Sequence, residues 1–112
     1  MSFADTPEPP YYVVIFTSRC VDGGDEAYAE TAARMVELAA GQPGFLGIES
    51  TRGEDGIGIT VSYWESLEAV DSWKRNEEHQ AAQIAGREKW YDRYELRVAK
   101  VERAYGFKRD VD

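Results

Sequence analysis

Residues 45–65 read FLGIESTRGEDGIGITVSYWE and contain two strand-like runs separated by a turn. The runs are Phe45–Arg52 and Ile57–Glu65, and both contain β-branched and aromatic residues, which favour strands. Between them lies Gly53-Glu54-Asp55-Gly56, and glycine and aspartate are common in short hairpin turns. The segment therefore predicts an antiparallel β-hairpin at the centre of the chain.

The second run of this hairpin alternates between two kinds of side chain. One set is apolar and consists of Ile57, Ile59, Val61 and Tyr63. The other set is small or polar except at its end and consists of Gly58, Thr60, Ser62 and Trp64. Successive residues of a strand point to opposite faces of a sheet. We therefore expect the apolar set to face a core and the other set to face a wetter surface or a cavity wall.

A strand and a helix are predicted before the hairpin. Tyr11–Arg19, YYVVIFTSR, is apolar on both faces up to Thr17, which is typical of a central strand covered on two sides. A turn is predicted at Asp22-Gly23-Gly24-Asp25, and Asp25 is expected to cap a helix with apolar residues at helical spacing. Gly41 ends this helix.

A second helix and a final strand are predicted after the hairpin. Ser66 is expected to cap the helix. The apolar periodicity of this helix falters at Asn76-Glu77-Glu78, which predicts a kink or a break, and Gly86 weakens its end. The final strand spans roughly Tyr91–Phe107. The phase of its apolar residues changes after Val98, as a β-bulge would cause.

The order strand, helix, hairpin, helix, strand predicts an α+β, ferredoxin-like βαββαβ fold. In this fold a four-stranded antiparallel sheet carries both helices on one face. The other face is expected to be too apolar for water and to pack against a second copy of the chain as a homodimer. Residues 1–10 contain Pro7, Pro9 and Pro10 and predict a flexible N-terminal arm, while residues 11–108 form a single domain.

Charge and composition exclude several classes of partner. The 112 residues carry a formal net charge of −8, so binding to nucleic acid or to an anionic membrane surface is disfavoured. No apolar run approaches the roughly 18 residues that a membrane-spanning helix needs. Cys20 is the one cysteine, which favours a reducing compartment, and we expect a cytoplasmic protein.

Several motifs of the chain resemble the antibiotic biosynthesis monooxygenase superfamily. They are Gln42–Gly47 (QPGFLG), Tyr63–Ala69 (YWESLEA), Trp73-Lys74 and His79. Trp90-Tyr91 and Val101–Arg103 resemble one bacterial branch of it. The resemblance extends from Tyr12 to Phe107 and implies a dimeric α+β barrel with a pocket between helices and sheet. It also implies a kinship with oxygenases of aromatic polyketides that need no metal or flavin, with haem-degrading oxygenases and with quinol-handling enzymes.

The haem-degrading members of this superfamily combine an Asn on the first strand with a Trp and a His on the second helix. Trp73 matches the position of that Trp. The first strand carries no Asn, since Phe16, Thr17 and Ser18 occupy the region, and the family's His falls near Gln83. The resemblance therefore disfavours haem degradation. We expect no cofactor and no metal, and haem binding stays open as an alternative.

His79 is the candidate general base, because it is the only histidine and its ordinary pKa lies near neutrality. On a helix, His79, Gln83, Gly86 and Trp90 fall on one stripe, and the glycine would open space for a flat ligand between the polar pair and the indole. In that case His79 takes a proton from a phenol or an enol. The alternative is that His79 lies near a helix start and faces solvent.

Aromatic side chains supply the candidate walls of the pocket. They are Tyr63, Trp64, Trp73, Trp90 and Tyr94. Arg97 is the candidate positive charge that would stabilise an anion. The alternative for Trp64 and Trp73 is core packing, and for Arg97 an ion pair at an interface.

These residues favour a small oxygenase that acts on an aromatic or quinone-like metabolite with molecular oxygen. We assign His79, Trp73 and Arg97 to catalysis. Tyr63, Trp64, Gln83, Trp90 and Tyr94 are assigned to substrate binding. The alternative is a non-catalytic module of the same fold that binds a small molecule or haem.

Overall fold

The computed structural model describes residues 2–21 and 26–110. Its elements, in chain order, are β1 (Tyr11–Cys20), α1 (Glu26–Ala40), β2 (Phe45–Arg52), β3 (Ile57–Trp64), α2 (Leu67–Arg75), α3 (Glu77–Ala85), a π-helical turn (Gly86–Trp90) and β4 (Tyr91–Val101). The turn expected at residues 22–25, with its cap at Asp25, lies outside the described residues. The remaining elements follow the predicted order.

One four-stranded antiparallel sheet has the strand order β2-β3-β1-β4. Val14 of β1 lies opposite Ser62 of β3 on one side and opposite Val98 of β4 on the other, which sets the register of the central strands. The helices pack on the face to which Val14 points, as the core contacts show. The predicted α+β, ferredoxin-like βαββαβ fold is therefore confirmed.

The core lies between this face and the helices, and Trp64 at the end of β3 is its centre. Its indole is fully buried, and its Nε1 donates a hydrogen bond to Ser62 Oγ at 2.9 Å. Four other buried residues share this cluster, namely Val14, Ala39, Val70 and Trp73. Burial of apolar surface in this layer holds α1 and α2 on the sheet.

The prediction for the two faces of β3 is wrong, because they are reversed. Ser62 and Trp64 face the helices, whereas Ile57 and Ile59 lie on the opposite face with 42% and 43% of their surface exposed. The alternation of side chains along a strand assigns residues to two faces of the sheet, but it does not show which face packs against the helices. We call the side that carries Ile57 and Ile59 the bare face of the sheet.

The second helical region breaks at the predicted place. Ser66 caps α2 by accepting a hydrogen bond from the backbone N–H of Ala69 at 3.1 Å, as expected. Asn76 separates α2 from α3, with φ −58° and ψ 126°. Gly86 does not open space beside Trp90 as predicted. A Cβ at Gly86 would lie 2.7 Å from Cε2 of Tyr91, so the glycine accommodates that ring.

The final strand is shorter than predicted and its irregularity lies elsewhere. β4 ends at Val101, and its register against β1 is regular from Arg93 to Val101, so the bulge expected after Val98 is absent from the paired strand. The register shifts instead around Asp92, opposite Arg19 and Cys20. Apolar residues occur on both faces of β4. In the sequence, this distribution looks the same as the change of phase that a bulge produces.

The N-terminal arm, residues 2–10, lies against the bare face of the sheet. The backbone N–H of Ala4 donates to Glu49 Oε2 at 3.0 Å, and its Cβ packs on Gly47. Thr6 Oγ1 and the hydroxyl of Tyr11 are 3.1 Å apart and share a hydrogen bond. The predicted arm therefore contacts the sheet at two points. Within the described residues, no helix has the length and apolarity to cross a membrane.

Candidate functional site

The site is built around Trp73 on α2 and His79 on α3. Their rings are stacked, with centroids 4.0 Å apart and planes 12° from parallel. The Trp73 indole in turn stacks on Trp64 of β3, at 6.0 Å between centroids and 25° between planes. Three of the predicted site residues therefore form one column that runs from the core to the helix layer.

The backbone between the two helices fixes the imidazole. His79 Nδ1 lies 2.9 Å from the carbonyl oxygen of Trp73. A carbonyl oxygen can only accept, so Nδ1 carries the proton and donates it. The neutral ring then has its lone pair on Nε2. The arrangement leaves Nε2 as the atom that can accept a proton from a bound molecule.

The surroundings of His79 favour its neutral form. Burial of the imidazole lowers its pKa below the ordinary value, and the hydrogen bond to the Trp73 carbonyl opposes this shift in part. A histidine with a lowered pKa is unprotonated at neutral pH and is ready to act as a base.

Two other predicted site residues lie towards the start of β4. The Trp90 ring packs edge-on against Tyr28 of α1 at 5.5 Å, and it lines a groove of about 380 Å³ between α1 and α3. Tyr94 packs on Phe16 of β1 at 5.4 Å, and its hydroxyl accepts a hydrogen bond from Arg87. Both residues lie in an aromatic cluster that is separate from the Trp64–Trp73–His79 column.

Gln83 lies one helical turn beyond His79 on α3 and is half-buried. Residues four apart on a helix share a face, so Gln83 lies on the same face of α3 as His79. It is the one predicted polar residue that shares a helix face with His79.

Tyr63 and Arg97 lie on the bare face, on the other side of the sheet from His79. The Tyr63 hydroxyl donates to Glu49 Oε1 at 2.5 Å, and burial together with this bond raises the Tyr63 pKa to about 12. Arg97 lines a cleft of about 240 Å³ with Arg19 and Arg93. The structure thus does not bring these two residues together with the histidine.

A polar cluster centred on Arg52, at the end of β2, was not predicted from the sequence. Its guanidinium donates to Ser18 Oγ at 2.8 Å and to the Tyr28 hydroxyl at 2.9 Å. It also bonds to the backbone carbonyl of Gly56 and lies 5.5 Å from the centre of the Tyr28 ring. Arg52 joins strand β2, strand β1 and helix α1 at one end of the molecule, and only their alignment in space reveals the cluster.

Metal ligands are not grouped in the described part of the chain. Within residues 2–21 and 26–110, no three His, Cys, Asp or Glu side chains are arranged so that they could hold one metal ion.

The fold occurs in several proteins of known structure. A protein from Shewanella oneidensis superimposes with a TM-score of 0.75 at 12% identity, over 85% of this chain and 94% of its own. SnoaB, a cofactor-independent oxygenase from Streptomyces nogalater, superimposes with a TM-score of 0.72 at 16% identity, over 86% and 97% of the two chains. At these identities the likeness defines the class of fold.

The family follows from the sequence match. Residues 11–85 match the model of the antibiotic biosynthesis monooxygenase family. The chain is also 56% identical over 107 residues to YqjZ of Bacillus subtilis, an uncharacterised protein, and the match spans 96% of this chain and 93% of YqjZ. The chain therefore belongs to the antibiotic biosynthesis monooxygenase family, as its motifs predicted.

Proposed function

We propose that this protein is an oxygenase that needs no metal or flavin and oxidises a small phenol or quinol with molecular oxygen. The observation that carries the proposal is the stacked pair Trp73 and His79, in which the imidazole is neutral and offers Nε2 as a base. SnoaB, which shares the fold, is described as a cofactor-independent oxygenase. Family membership supports the same class of reaction.

The proposed reaction begins with the transfer of the phenolic proton to Nε2 of His79. The resulting anion is electron-rich and passes one electron to oxygen, which gives a substrate radical and superoxide. These two combine to form a carbon–oxygen bond, and the peroxide takes the proton back from the imidazolium. The hydrogen of the attacked carbon then leaves as a proton, the O–O bond breaks, and the products are a quinone and one molecule of water.

The proposed steps require an environment from which water is largely excluded. The buried Trp73 ring packs behind the base and keeps water from that side of the imidazole, and Gln83 supplies an uncharged hydrogen-bonding group on the same side of α3. A low-dielectric site strengthens the interaction between an imidazolium and a developing anion. Under this proposal the substrate is planar and carries at least one ionisable hydroxyl.

We propose a homodimer as the functional form. Ile57 and Ile59 are large apolar residues that are close to half exposed on the bare face, and a second copy would remove them from water. The N-terminal arm covers a different part of that face, at Gly47 and Glu49. Pairing through the uncovered part leaves the His79 side of each sheet open to substrate.

The test is oxygen consumption with a panel of phenols, hydroquinones and hydroxylated polycyclic aromatics. We expect at least one compound to be oxidised by the wild-type protein, with one oxygen molecule used per quinone formed. His79→Ala should lower the rate at least about 100-fold, which is the usual contribution of a general base. Gln80→Ala changes the exposed neighbouring residue and should keep the wild-type rate. Equal rates for His79→Ala and Gln80→Ala would refute the role of His79.

A further inference from the structure

The stacking of His79 on Trp73 requires a break in the helix. In a continuous α-helix, residues six apart are about 9 Å apart along the axis and about 240° apart around it. Their rings could not then stack at the observed 4.0 Å between centroids. The break at Asn76, where ψ is 126°, turns α3 back so that the imidazole reaches the indole.

The break also frees the acceptor that holds the imidazole. In a continuous helix the carbonyl of Trp73 would accept the N–H of residue 77. At the break, it accepts the backbone N–H of Asn76 at 3.1 Å and the Nδ1–H of His79 at 2.9 Å. One carbonyl oxygen has two lone pairs, so it can serve both donors.

The side chain of Asn76 holds the backbone of His79. Its Oδ1 accepts the N–H of His79 at 3.1 Å, and Asn76 is therefore the N-cap of α3. Asparagine is among the preferred N-cap residues because this bond satisfies a donor that the helix leaves open. The cap fixes the residue that carries the imidazole, in addition to starting the helix.

We infer that Asn76 is a positioning residue, which sets the tautomer and the orientation of the His79 imidazole by ending α2 and capping α3. This inference rests on the proposed function for its catalytic meaning, but the geometry can be tested without any substrate. Among the side chains that the structure describes next to this joint, the charged ones are Lys74, Arg75 and Glu78, and all three are exposed. Glu78 forms an ion pair with Arg34 of α1 at 2.8 Å.

The experiment uses the fact that the chain has one histidine, so its imidazole signals need no assignment. The ¹⁵N and ¹H signals of the ring are followed from pH 4 to pH 9 in the wild type and in Asn76→Ala. We expect the wild type to be protonated on Nδ1 and to titrate below the ordinary range. In Asn76→Ala we expect a mixture of tautomers and a pKa closer to about 6.5.

Two further variants separate positioning from general loss of stability. Asn76→Ser keeps an uncharged cap oxygen and should restore the wild-type signals. Ser66→Ala removes the N-cap of α2, which bonds to Ala69 and not to His79, and should lower the thermal midpoint without moving the histidine signals. If Asn76→Ala and Ser66→Ala both leave the tautomer and the pKa of His79 unchanged, the inference is overturned.

Activity then distinguishes this inference from the proposed function. Where the wild type oxidises a phenol, the pH profile of kcat in Asn76→Ala should shift with the measured pKa of His79, and Asn76→Ser should restore it. An unshifted profile beside a shifted histidine pKa would overturn the proposed base while leaving the role of Asn76 in place. A wild type without oxygenase activity would also overturn the proposed base. It would leave the role of Asn76 in place, because the NMR titration alone tests that role.

Discussion

At the scale of single residues, the protonation of His79 links the site to the stability of the fold. The folded protein lowers the pKa of this imidazole, so the folded state binds protons less readily than the unfolded chain does. The charged form is therefore penalised only in the folded state. Stability is unaffected above the unfolded pKa of about 6.5, and it falls as the pH drops from there towards the lowered folded pKa.

His79→Gln tests this linkage, because glutamine is polar and does not titrate. We expect the free energy of unfolding of the wild type to decrease as the pH falls from about 6.5 towards the lowered pKa of His79, whereas that of His79→Gln stays flatter over the same window. Urea unfolding at a series of pH values measures the difference. Below this window both proteins should lose stability together as Glu49, whose pKa is lowered by its hydrogen bonds from Tyr63 and Ala4, becomes protonated.

The identity of the candidate base could be predicted from the sequence, but its geometry could not. A single histidine and a family motif with a tryptophan on the second helix are visible in the sequence. The stack of Trp73 and His79 depends on one non-helical ψ at Asn76. A kink was expected there, but the direction in which it turns the second helix is decided by packing on the core.

At the scale of elements, the π-helical turn between α3 and β4 packs against the ring of Tyr91, and this contact requires a glycine at position 86. Gly86 begins this turn with ordinary helical dihedral angles, so no special backbone conformation requires glycine there. The requirement is space, since two carbons of the Tyr91 ring approach within 3 Å of where a Cβ would be. Phe16 and Tyr28 pack edge-on against that ring, at 5.5 and 5.7 Å, and limit its movement.

Gly86→Ala should therefore destabilise the fold although alanine is the better helix former. The gain in helix propensity is about 1 kcal/mol, while overpacking a constrained site costs about 1–3 kcal/mol. Gly41→Ala is the matched control, because the added Cβ there meets only the Leu38 carbonyl, at an ordinary 3.6 Å. In thermal or urea unfolding, Gly86→Ala should have a lower free energy of unfolding than Gly41→Ala. The opposite order would contradict this account of the turn.

The sequence predicted the hairpin, the break at Asn76 and the cap at Ser66, because each depends on local chemistry. It misplaced the β-bulge, which depends on how β4 aligns with β1. The irregularity lies at Asp92, whose carboxylate is 2.9 Å from the Arg19 guanidinium of the neighbouring strand. A contact between residues 73 positions apart leaves no periodic signal in either segment.

At the scale of the whole molecule, the helices cover one side of the sheet and leave the other with little cover. The sequence predicted this asymmetry from the number and order of its elements. It did not predict that the N-terminal arm would lie against the bare face, because that position depends on a hydrogen bond from Ala4 to Glu49. It also grouped Tyr63 and Arg97 with His79, since a sequence does not reveal which side chains the sheet separates.

Ile59→Arg tests the proposed pairing through the bare face. Light scattering coupled to size exclusion should give a mass of two 12.6 kDa chains for the wild type and of one chain for the variant. The physical reason is that a twofold interface would bury two unpaired guanidinium groups. Ile84→Arg, on α3, is the control because Ile84 is exposed to a similar extent, at 49%, and should leave the mass unchanged. Dissociation of both variants, or of neither, would count against the bare face as the interface.

The column of Trp64, Trp73 and His79 has a spectroscopic consequence. A protonated imidazole in van der Waals contact with an indole quenches its fluorescence more strongly than a neutral one does. The chain has three tryptophans, so the part of the emission that changes with pH in the wild type and not in His79→Gln reports the charge on His79. A compound that binds against the imidazole would change this signal, so unlabelled protein in a plate reader is sufficient to screen for ligands.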